Sequence, residues 1–170
     1  MKELFEEALG FVLDEEGGLT RDSGGLTKYG ISAKAFPDLD IENLTLEQAK
    51  EIYRKYYWAP FEELEVPPGV RAFLFDSAVN MGVRQAVRFL QRAVSIVTGT
   101  RLAVDGIAGP RTREAIGKVA WYDWGAVLWC MAALRATAYG RIVVRRPRLS
   151  RYLKGWLRRN LACAAKRWER

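Results

Sequence analysis

The sequence predicts a mainly α protein with at most a small β-hairpin after its first helix. Apolar residues recur at three- and four-residue spacing in six segments of the chain, which is typical of amphipathic helices. No segment of five or more residues alternates apolar and polar side chains as a half-buried strand does. With 49% apolar and 28% charged residues, the 170-residue chain has the composition of a globular protein with a substantial core.

Local signals mark the helices of the first half of the chain. The first helix is predicted over residues 2–15 and ends at Gly17 and Gly18, because glycine accepts the backbone conformation that closes a helix. Residues 17–31 are rich in Gly, Ser, Thr and Asp, which predicts a loop with a short hairpin. A second helix begins at Thr45, where Gln48 three residues later completes a capping box.

The second half of the chain continues the helical spacing. The third and fourth predicted helices run from Val70 to about residue 81 and from Ala86 to Val97. Pro110 favours the first turn of a fifth helix that reaches Lys118. A long apolar helix is predicted over residues 121–142, and a last helix follows Pro147. The most apolar stretch, residues 126–134, is too short by itself to span a bilayer.

Charge restricts the chemistry that the chain can perform. The sequence has no histidine, which excludes Ser-His-Asp and Cys-His catalysis and every His-ligated metal site. Acid–base chemistry must therefore come from Asp, Glu, Lys, Tyr or Cys. The two cysteines, Cys130 and Cys163, cannot form a zinc site alone, and their spacing leaves open whether they pair.

The net charge of +7 is concentrated near the C-terminus. Residues 1–134 carry a net charge of −4, whereas residues 135–170 carry +11. In the last predicted helix, apolar residues such as Trp156 and Leu161 lie on one face and basic residues lie largely opposite. This basic set consists of Arg148, Arg151, Lys154, Arg158 and Arg159. The asymmetry favours a polyanionic partner, either a nucleic acid, an anionic membrane surface or a cell-wall polymer, over a merely solvated helix face.

Glu16 is the strongest catalytic candidate in the sequence. It lies where the first helix meets the glycine loop, and the partial negative charge of a helix C-terminus disfavours an ionised carboxylate. A carboxyl group whose pKa is raised in this way suits a general acid. Gly17 and Gly18 would let a bulky substrate approach closely. The alternative is an exposed acidic helix end.

The sequence around Glu16 resembles a known family. EGGLTRDSGGLTKYGIS (residues 16–32) is similar to the signature of the glycoside hydrolase family 108 lysozymes, although the stretch between its glycine pairs is shorter and retains Asp22. AKEIYRKYYWAPF (residues 49–61) is similar to the second block of that family. FDSAVNMGVRQAVRFLQRAV (75–94) and VDGIAGPRTREAI (104–116) resemble the peptidoglycan-binding domain fused to these enzymes.

The resemblance implies a lysozyme-like helical fold with two lobes. It divides the chain into a catalytic region over residues 1–66, a peptidoglycan-binding region over 67–145 and a basic C-terminal helix over 146–170. It implies an N-acetylmuramidase of the phage endolysin type, which cleaves the β-1,4 bond between N-acetylmuramic acid and N-acetylglucosamine. It requires no metal or cofactor, and we expect a monomer that does not bind nucleic acid.

The resemblance also suggests roles for individual residues. Glu16 would be the general acid, Asp22 the second carboxylate, and Thr27 a hydroxyl that orients water. For Asp22 and Thr27 the alternatives are an Asx-turn and a hydroxyl that stabilises the loop. Sugar-binding side chains are expected among aromatic, amide and carboxylate groups: Tyr29, Tyr57, Trp58, Asp76, Asn80 and Gln91. Tyr53 and Tyr56 are assigned to packing instead, and Asn80 could equally close a helix.

Other functions remain open from the sequence. They are a non-catalytic peptidoglycan-binding module, a lytic transglycosylase, and a helical nucleic-acid-binding protein that uses the basic segment. Acidic residues interrupt the apolar residues near the N-terminus, which argues against a signal peptide. We therefore expect a protein made in the cytoplasm that acts on the wall after release.

Overall fold

The computed structural model describes residues 2–16, 20–22 and 25–168, and the side chains of residues 15, 16, 20–22, 25 and 26 lie outside the description. Within these residues the chain forms seven α-helices and a small sheet, which confirms the predicted mainly α class with a small β element after the first helix. In chain order the elements are α1 (Lys2–Glu16), β1 (Thr20–Asp22), β2 (Gly25–Lys28), β3 (Ile31–Ser32), α2 (Leu46–Tyr53), α3 (Pro68–Met81), α4 (Val83–Thr98), α5 (Pro110–Gly117), α6 (Trp124–Arg145) and α7 (Ser150–Ala165).

Local sequence signals explain where several helices begin. The Thr45 side chain accepts a hydrogen bond from the backbone N–H of Gln48, and the Gln48 side chain accepts one from the backbone N–H of Thr45, so the predicted capping box is confirmed. Pro110 occupies the first turn of α5, as predicted. After α2 the chain continues through a π-helical turn at Arg54–Trp58, which no sequence signal predicts.

The long apolar helix differs from its prediction at both ends. Residues Trp121–Asp123 form a separate 3₁₀ turn, and α6 extends beyond residue 142 to Arg145. Counted with this turn, the helix is long and apolar enough to cross a membrane by length and composition alone. Residues 126–134 are therefore only part of a longer apolar helix. Their own short length does not decide whether this helix could span a bilayer.

The sheet follows α1 and consists of three short antiparallel strands in the order β1-β2-β3, so the predicted hairpin gains a third strand. Thr20 pairs with Thr27 and Asp22 with Gly25. Tyr29 and Gly30 connect β2 to β3 with φ angles of 52° and 75°. Two residues with positive φ define the hairpin turn that matches the twist of the flanking strands, and Gly30 meets its requirement without strain.

The core consists of two apolar clusters that share α3. One cluster joins α1, α2 and β3 around Trp58, whose ring meets those of Phe5 and Phe75 edge-on with centroids 5.4 Å apart in each pair. The other cluster joins α4, α5, α6 and α7 to the opposite side of α3. Because neighbouring residues such as Leu74 and Phe75 are buried in different clusters, α3 is the central helix of the fold.

A buried ion network connects α3 to the C-terminal helices. Asp76 on α3 accepts hydrogen bonds from Arg135 Nη1 of α6 at 2.5 Å and from Arg159 Nε of α7 at 2.8 Å. Arg135 Nε also donates to the hydroxyl of Tyr139, at 2.7 Å. The three charged residues are at most 5% exposed. A buried charge is tolerated only when it is paired and hydrogen-bonded, so Asp76 makes the burial of both arginines feasible.

We predict that Asp76→Asn strongly destabilises the protein. The substitution keeps the shape of the side chain but leaves two buried guanidinium groups without a counter-charge, which typically costs about 3–5 kcal/mol. Urea denaturation measures the free energy of unfolding. Glu114→Gln is the control, because Glu114 pairs with Lys118 at 2.6 Å on the exposed surface, and we expect little change there. Equal stability of Asp76→Asn and the parent would contradict the structural role of the network.

Candidate functional site

The first candidate site is the junction of α1 and the sheet. Glu16 is the last residue of α1, and β1 begins at Thr20. One side of α1 is buried against α3 through Leu4, Phe5, Ala8, Leu9 and Val12. The side chains of Glu16 and Asp22 lie outside the described residues, so their predicted catalytic roles stay predictions. In the described backbone, Glu16 is the last residue of α1 and Asp22 is the last residue of β1. The two residues therefore lie on either side of the short connection between α1 and β1.

The sheet next to this junction is held at the end of β2. Thr27 lies in β2 and is partly exposed, as is Tyr29 in the turn that follows. The Tyr53 hydroxyl donates a hydrogen bond to the carbonyl oxygen of Tyr29 at 2.8 Å, and Lys28 Nζ donates to the carbonyl oxygen of Glu42 at 2.9 Å. Tyr53 is buried, as expected for a residue assigned to packing. No feature of the sequence predicts its hydrogen bond to the turn.

The two remaining aromatic candidates have different surroundings. Tyr57 is partly buried and packs against both apolar clusters, with its ring centroid 5.7 Å from that of Tyr53. Trp58 has no exposed surface and lies in the core, which corrects its predicted sugar contact. Tyr56, for which the sequence predicts packing, is 47% exposed and contacts Phe36 edge-on. The helical spacing does not identify which of these aromatic residues points outward, because the chain turns into a π-helix within this segment.

Asp76 and Asn80 lie on the same helix, α3, close to the buried ion network. Asp76 is 1% exposed and engaged by Arg135 and Arg159, so it stabilises the fold rather than facing a sugar. Asn80 lies inside α3 and is partly exposed, while Gly82 caps the helix. Asn80 Oδ1 accepts a hydrogen bond from the Tyr139 hydroxyl at 2.9 Å. Burial raises the pKa of this hydroxyl, so Tyr139 remains a donor at neutral pH.

Gln91 organises the loop that precedes α5. Its Nε2 donates to Asp105 Oδ1, to the carbonyl oxygen of Ile107 and to Thr112 Oγ1, at 2.8–3.1 Å, and its Oε1 accepts from the backbone N–H of Gly106. The hydrogen bonds from Gln91 and from the Ile107 N–H lower the pKa of the Asp105 carboxyl. Gln91 is 1% exposed, so the structure corrects its predicted sugar contact to a structural role.

A shallow groove follows the same loop. Three adjacent cavities of about 310–400 Å³ share Leu102 in their linings. Apolar side chains, including Ile107 and Pro110, line the largest of them, and Arg101 and Arg111 lie beside the segment. The groove therefore combines apolar side chains with charged residues of both signs, because Asp105 and Glu114 also line it. The hydrogen bonds of Gln91 connect this loop to α4.

The basic candidates on and just before α7 do not share one environment. Arg148, Arg151, Lys154 and Arg158 are exposed, as an anion-attracting surface requires. Arg159 is 5% exposed and pairs with Asp76, so its predicted attraction to a wall or membrane is corrected to a role in the core. Leu161, which the sequence places on the buried apolar face, is 55% exposed. The helix is rotated relative to its prediction because Arg159 and Asn160 point inward.

Both cysteines are free thiols. Cys163 is buried, and burial raises its pKa well above the ordinary value. Cys130 is partly buried, and burial also raises its pKa. Both therefore behave as small apolar side chains with low reactivity. Among the described residues, no group of three or more Cys, Asp or Glu side chains is arranged to hold a metal ion.

Comparison with known families gives two matches in series along the chain. Residues 9–82 match the family described as Glycosyl hydrolase 108, and residues 85–161 match the family described as Predicted Peptidoglycan domain. The chain thus contains a glycosyl hydrolase 108 region followed by a peptidoglycan domain, which confirms the resemblance seen in the sequence. It is thus a glycoside hydrolase that acts on peptidoglycan. The two matches meet near Gly82, and the domain boundaries predicted at residues 66 and 145 stay predictions.

A solved structure shares the whole fold. The chain is similar to SagA of Brucella abortus, with 26% sequence identity and a TM-score of 0.77. The similarity covers 97% of this chain and 94% of that one, so it includes both halves. A comparison with curated protein sequences finds no match.

We predict that Gly106→Ala disturbs the Asp105–Pro110 loop more than Gly99→Ala disturbs its own turn. Both glycines have positive φ, 80° and 70°, so alanine costs about 1–2 kcal/mol at either position. A Cβ at Gly106 would also lie 2.6 Å from the carbonyl oxygen of Arg84, whereas a Cβ at Gly99 meets open space. Urea denaturation of the two variants measures the difference. Equal destabilisation would show that the loop is not packed as closely on Arg84 as described.

Proposed function

We propose that the protein is a lysozyme that hydrolyses the β-1,4 linkage between N-acetylmuramic acid and N-acetylglucosamine. The observation that carries the proposal is the glycosyl hydrolase 108 match over residues 9–82, which includes Glu16, the sheet and the turn at Tyr29. The peptidoglycan domain that follows supports peptidoglycan as the substrate. Cleavage of glycan strands weakens the wall, so we further propose a bacteriolytic role of the endolysin type, in which the enzyme reaches the wall after release from the cytoplasm.

In this proposal Glu16 is the general acid that protonates the glycosidic oxygen as the sugar departs. Its backbone is held at the end of α1, whose buried side packs on α3. A general acid must keep a fixed position relative to the scissile bond, and a helix held by its apolar side provides such a position. Proton transfer from a positioned acid typically accelerates a reaction by about 10²–10⁴-fold.

Asp22 and Thr27 are proposed to act on the opposite side of the reacting carbon. Because Asp22 pairs with Gly25 and Thr20 with Thr27, the strand register puts positions 22 and 27 on one face of the sheet. A carboxylate there can deprotonate water or stabilise the positive charge of the sugar ring, and a neighbouring hydroxyl can orient the water. Tyr29, with its carbonyl oxygen held by Tyr53, is proposed to contact the sugar near this face.

We predict that Glu16→Gln lowers the rate of wall lysis by roughly 10³-fold, because the amide cannot donate the acidic proton. Loss of turbidity of a purified peptidoglycan suspension measures the rate. Asp14→Asn is the matched control, since Asp14 is an exposed carboxylate on the same helix and should be dispensable. If Glu16→Gln lyses the suspension as fast as the parent, the general-acid assignment is wrong. If the parent itself only binds the suspension, the chain is a non-catalytic binding module.

We predict that Thr27→Val lowers the turnover rate on the order of 10²-fold without changing wall binding. Valine keeps the shape and strand preference of threonine but cannot orient a water molecule. Pelleting with peptidoglycan measures binding, and release of reducing sugar ends measures turnover. A Thr20→Val variant is the control, because Thr20 is the strand partner of Thr27. Equal losses in the two variants would indicate a general effect on the sheet instead of a role for the Thr27 hydroxyl.

A further inference from the structure

The α6–α7 hairpin, comprising residues 124–165, has an unusual charge pattern. No Asp or Glu occurs between residues 124 and 168. Two of its arginines, Arg135 and Arg159, are buried against Asp76. The remaining basic side chains of the hairpin are exposed: Arg141, Arg145, Arg146, Arg148, Arg151, Lys154 and Arg158. The outer surface of the hairpin is therefore strongly cationic.

Most of these exposed cations have no ion-pair partner among the described residues. Arg141, Arg145, Arg146, Arg148, Arg151 and Lys154 form no ion pair with any acidic side chain that the structure describes. Arg151 instead lies over the ring of Tyr152, 4.8 Å from its centroid. Cations that the fold does not neutralise are available to a negatively charged partner.

Apolar side chains are also exposed along α6 and in the turn just before it, Trp121–Asp123, which lies outside the hairpin and includes Asp123. Trp121 and Tyr122, in the turn that leads into α6, are 86% and 69% exposed, and Trp129 is 50% exposed. Ala126, between Tyr122 and Trp129, and Ala133, beyond Trp129, are also exposed. Val144 is 81% exposed near the C-terminal end of α6, where the arginines lie. No charged residue occurs from Trp124 to Leu134. An exposed apolar strip of this kind indicates a binding surface.

Packing keeps α6 from inserting across a bilayer. The inner side of the helix is buried against α3, α4 and α7, and Arg135 pairs with Asp76 there. Extraction of α6 into lipid would separate Arg135 from Asp76 and place its charge in hydrocarbon, which is very unfavourable. The helix can therefore meet a membrane only with its outer side, in the plane of the interface.

We propose that the outer surface of the α6–α7 hairpin, together with the turn just before α6, binds the surface of an anionic lipid bilayer. Aromatic residues favour the headgroup region, and the exposed basic residues of the hairpin are attracted to anionic headgroups. Binding of this kind would hold the enzyme next to the wall that it cleaves, although it does not depend on the proposed hydrolytic activity.

Vesicle binding of the full-length protein tests the proposal. The protein should sediment with vesicles of mixed phosphatidylcholine and phosphatidylglycerol, not with phosphatidylcholine alone, and salt should weaken the binding. Replacing Arg145, Arg146 and Arg148 with Gln should weaken it on the order of 10²-fold, since each basic residue near an anionic surface contributes about fivefold. A Trp121→Ser/Trp129→Ser variant should weaken it by roughly tenfold or more.

Matched controls separate the hairpin from the rest of the surface. Replacing Arg92, Arg101 and Arg111 with Gln removes the same charge from exposed positions of the other helices and loops, and should have a much smaller effect. An Ile96→Ser/Ile107→Ser variant likewise removes two exposed apolar side chains elsewhere.

Three results would overturn the proposal. They are an absence of vesicle binding, an equal loss in the control variants, and a Trp121→Ser/Trp129→Ser variant that changes a dimer into a monomer with vesicle binding intact. The last result would make this face a contact between two copies of the chain.

Discussion

The buried carboxylate of Asp76 is the interaction on which the arrangement of the C-terminal helices depends. It lies on α3, the helix that both apolar clusters share, and binds Arg135 of α6 and Arg159 of α7. Hydrophobic contacts alone would allow α6 and α7 to rotate or slide, because apolar surfaces are not directional. The two directional ion pairs fix which faces of α6 and α7 point inward, and hence which faces remain for partners.

This constraint explains how one cationic segment can serve two purposes. The inward arginines are part of the core, whereas the outward basic residues of the hairpin remain exposed. The candidate catalytic junction belongs to the other cluster, where α1 and the sheet pack on the opposite side of α3. The proposed attraction to a surface and the proposed cleavage of glycan thus belong to different parts of the chain, which one central helix connects.

The sequence predicts the features that neighbouring residues encode. The capping box at Thr45 and the Pro110 helix start depend on residues within one turn, and both are confirmed. The directions of Asp76, Gln91 and Arg159 depend on distant partners, since Asp76 meets Arg159 83 positions away and Gln91 meets Thr112 21 positions away. A single sequence gives no sign of such pairings. For that reason the predicted sugar contacts of Asp76 and Gln91 and the predicted surface position of Arg159 are wrong.

The roles of Glu16, Asp22 and Thr27 come from the family signature and stay predictions.

The bond that the enzyme cleaves and the residue that cleaves it define the central claim. Mass spectrometry of the muropeptides released from purified peptidoglycan identifies both, when the parent and the Glu16→Gln variant are compared. We expect the parent to release fragments with reducing N-acetylmuramic acid ends and the variant to release almost none. Fragments that end in anhydromuramic acid would indicate a lytic transglycosylase, and reducing N-acetylglucosamine ends would indicate cleavage of the other glycosidic bond. Either result would contradict the account.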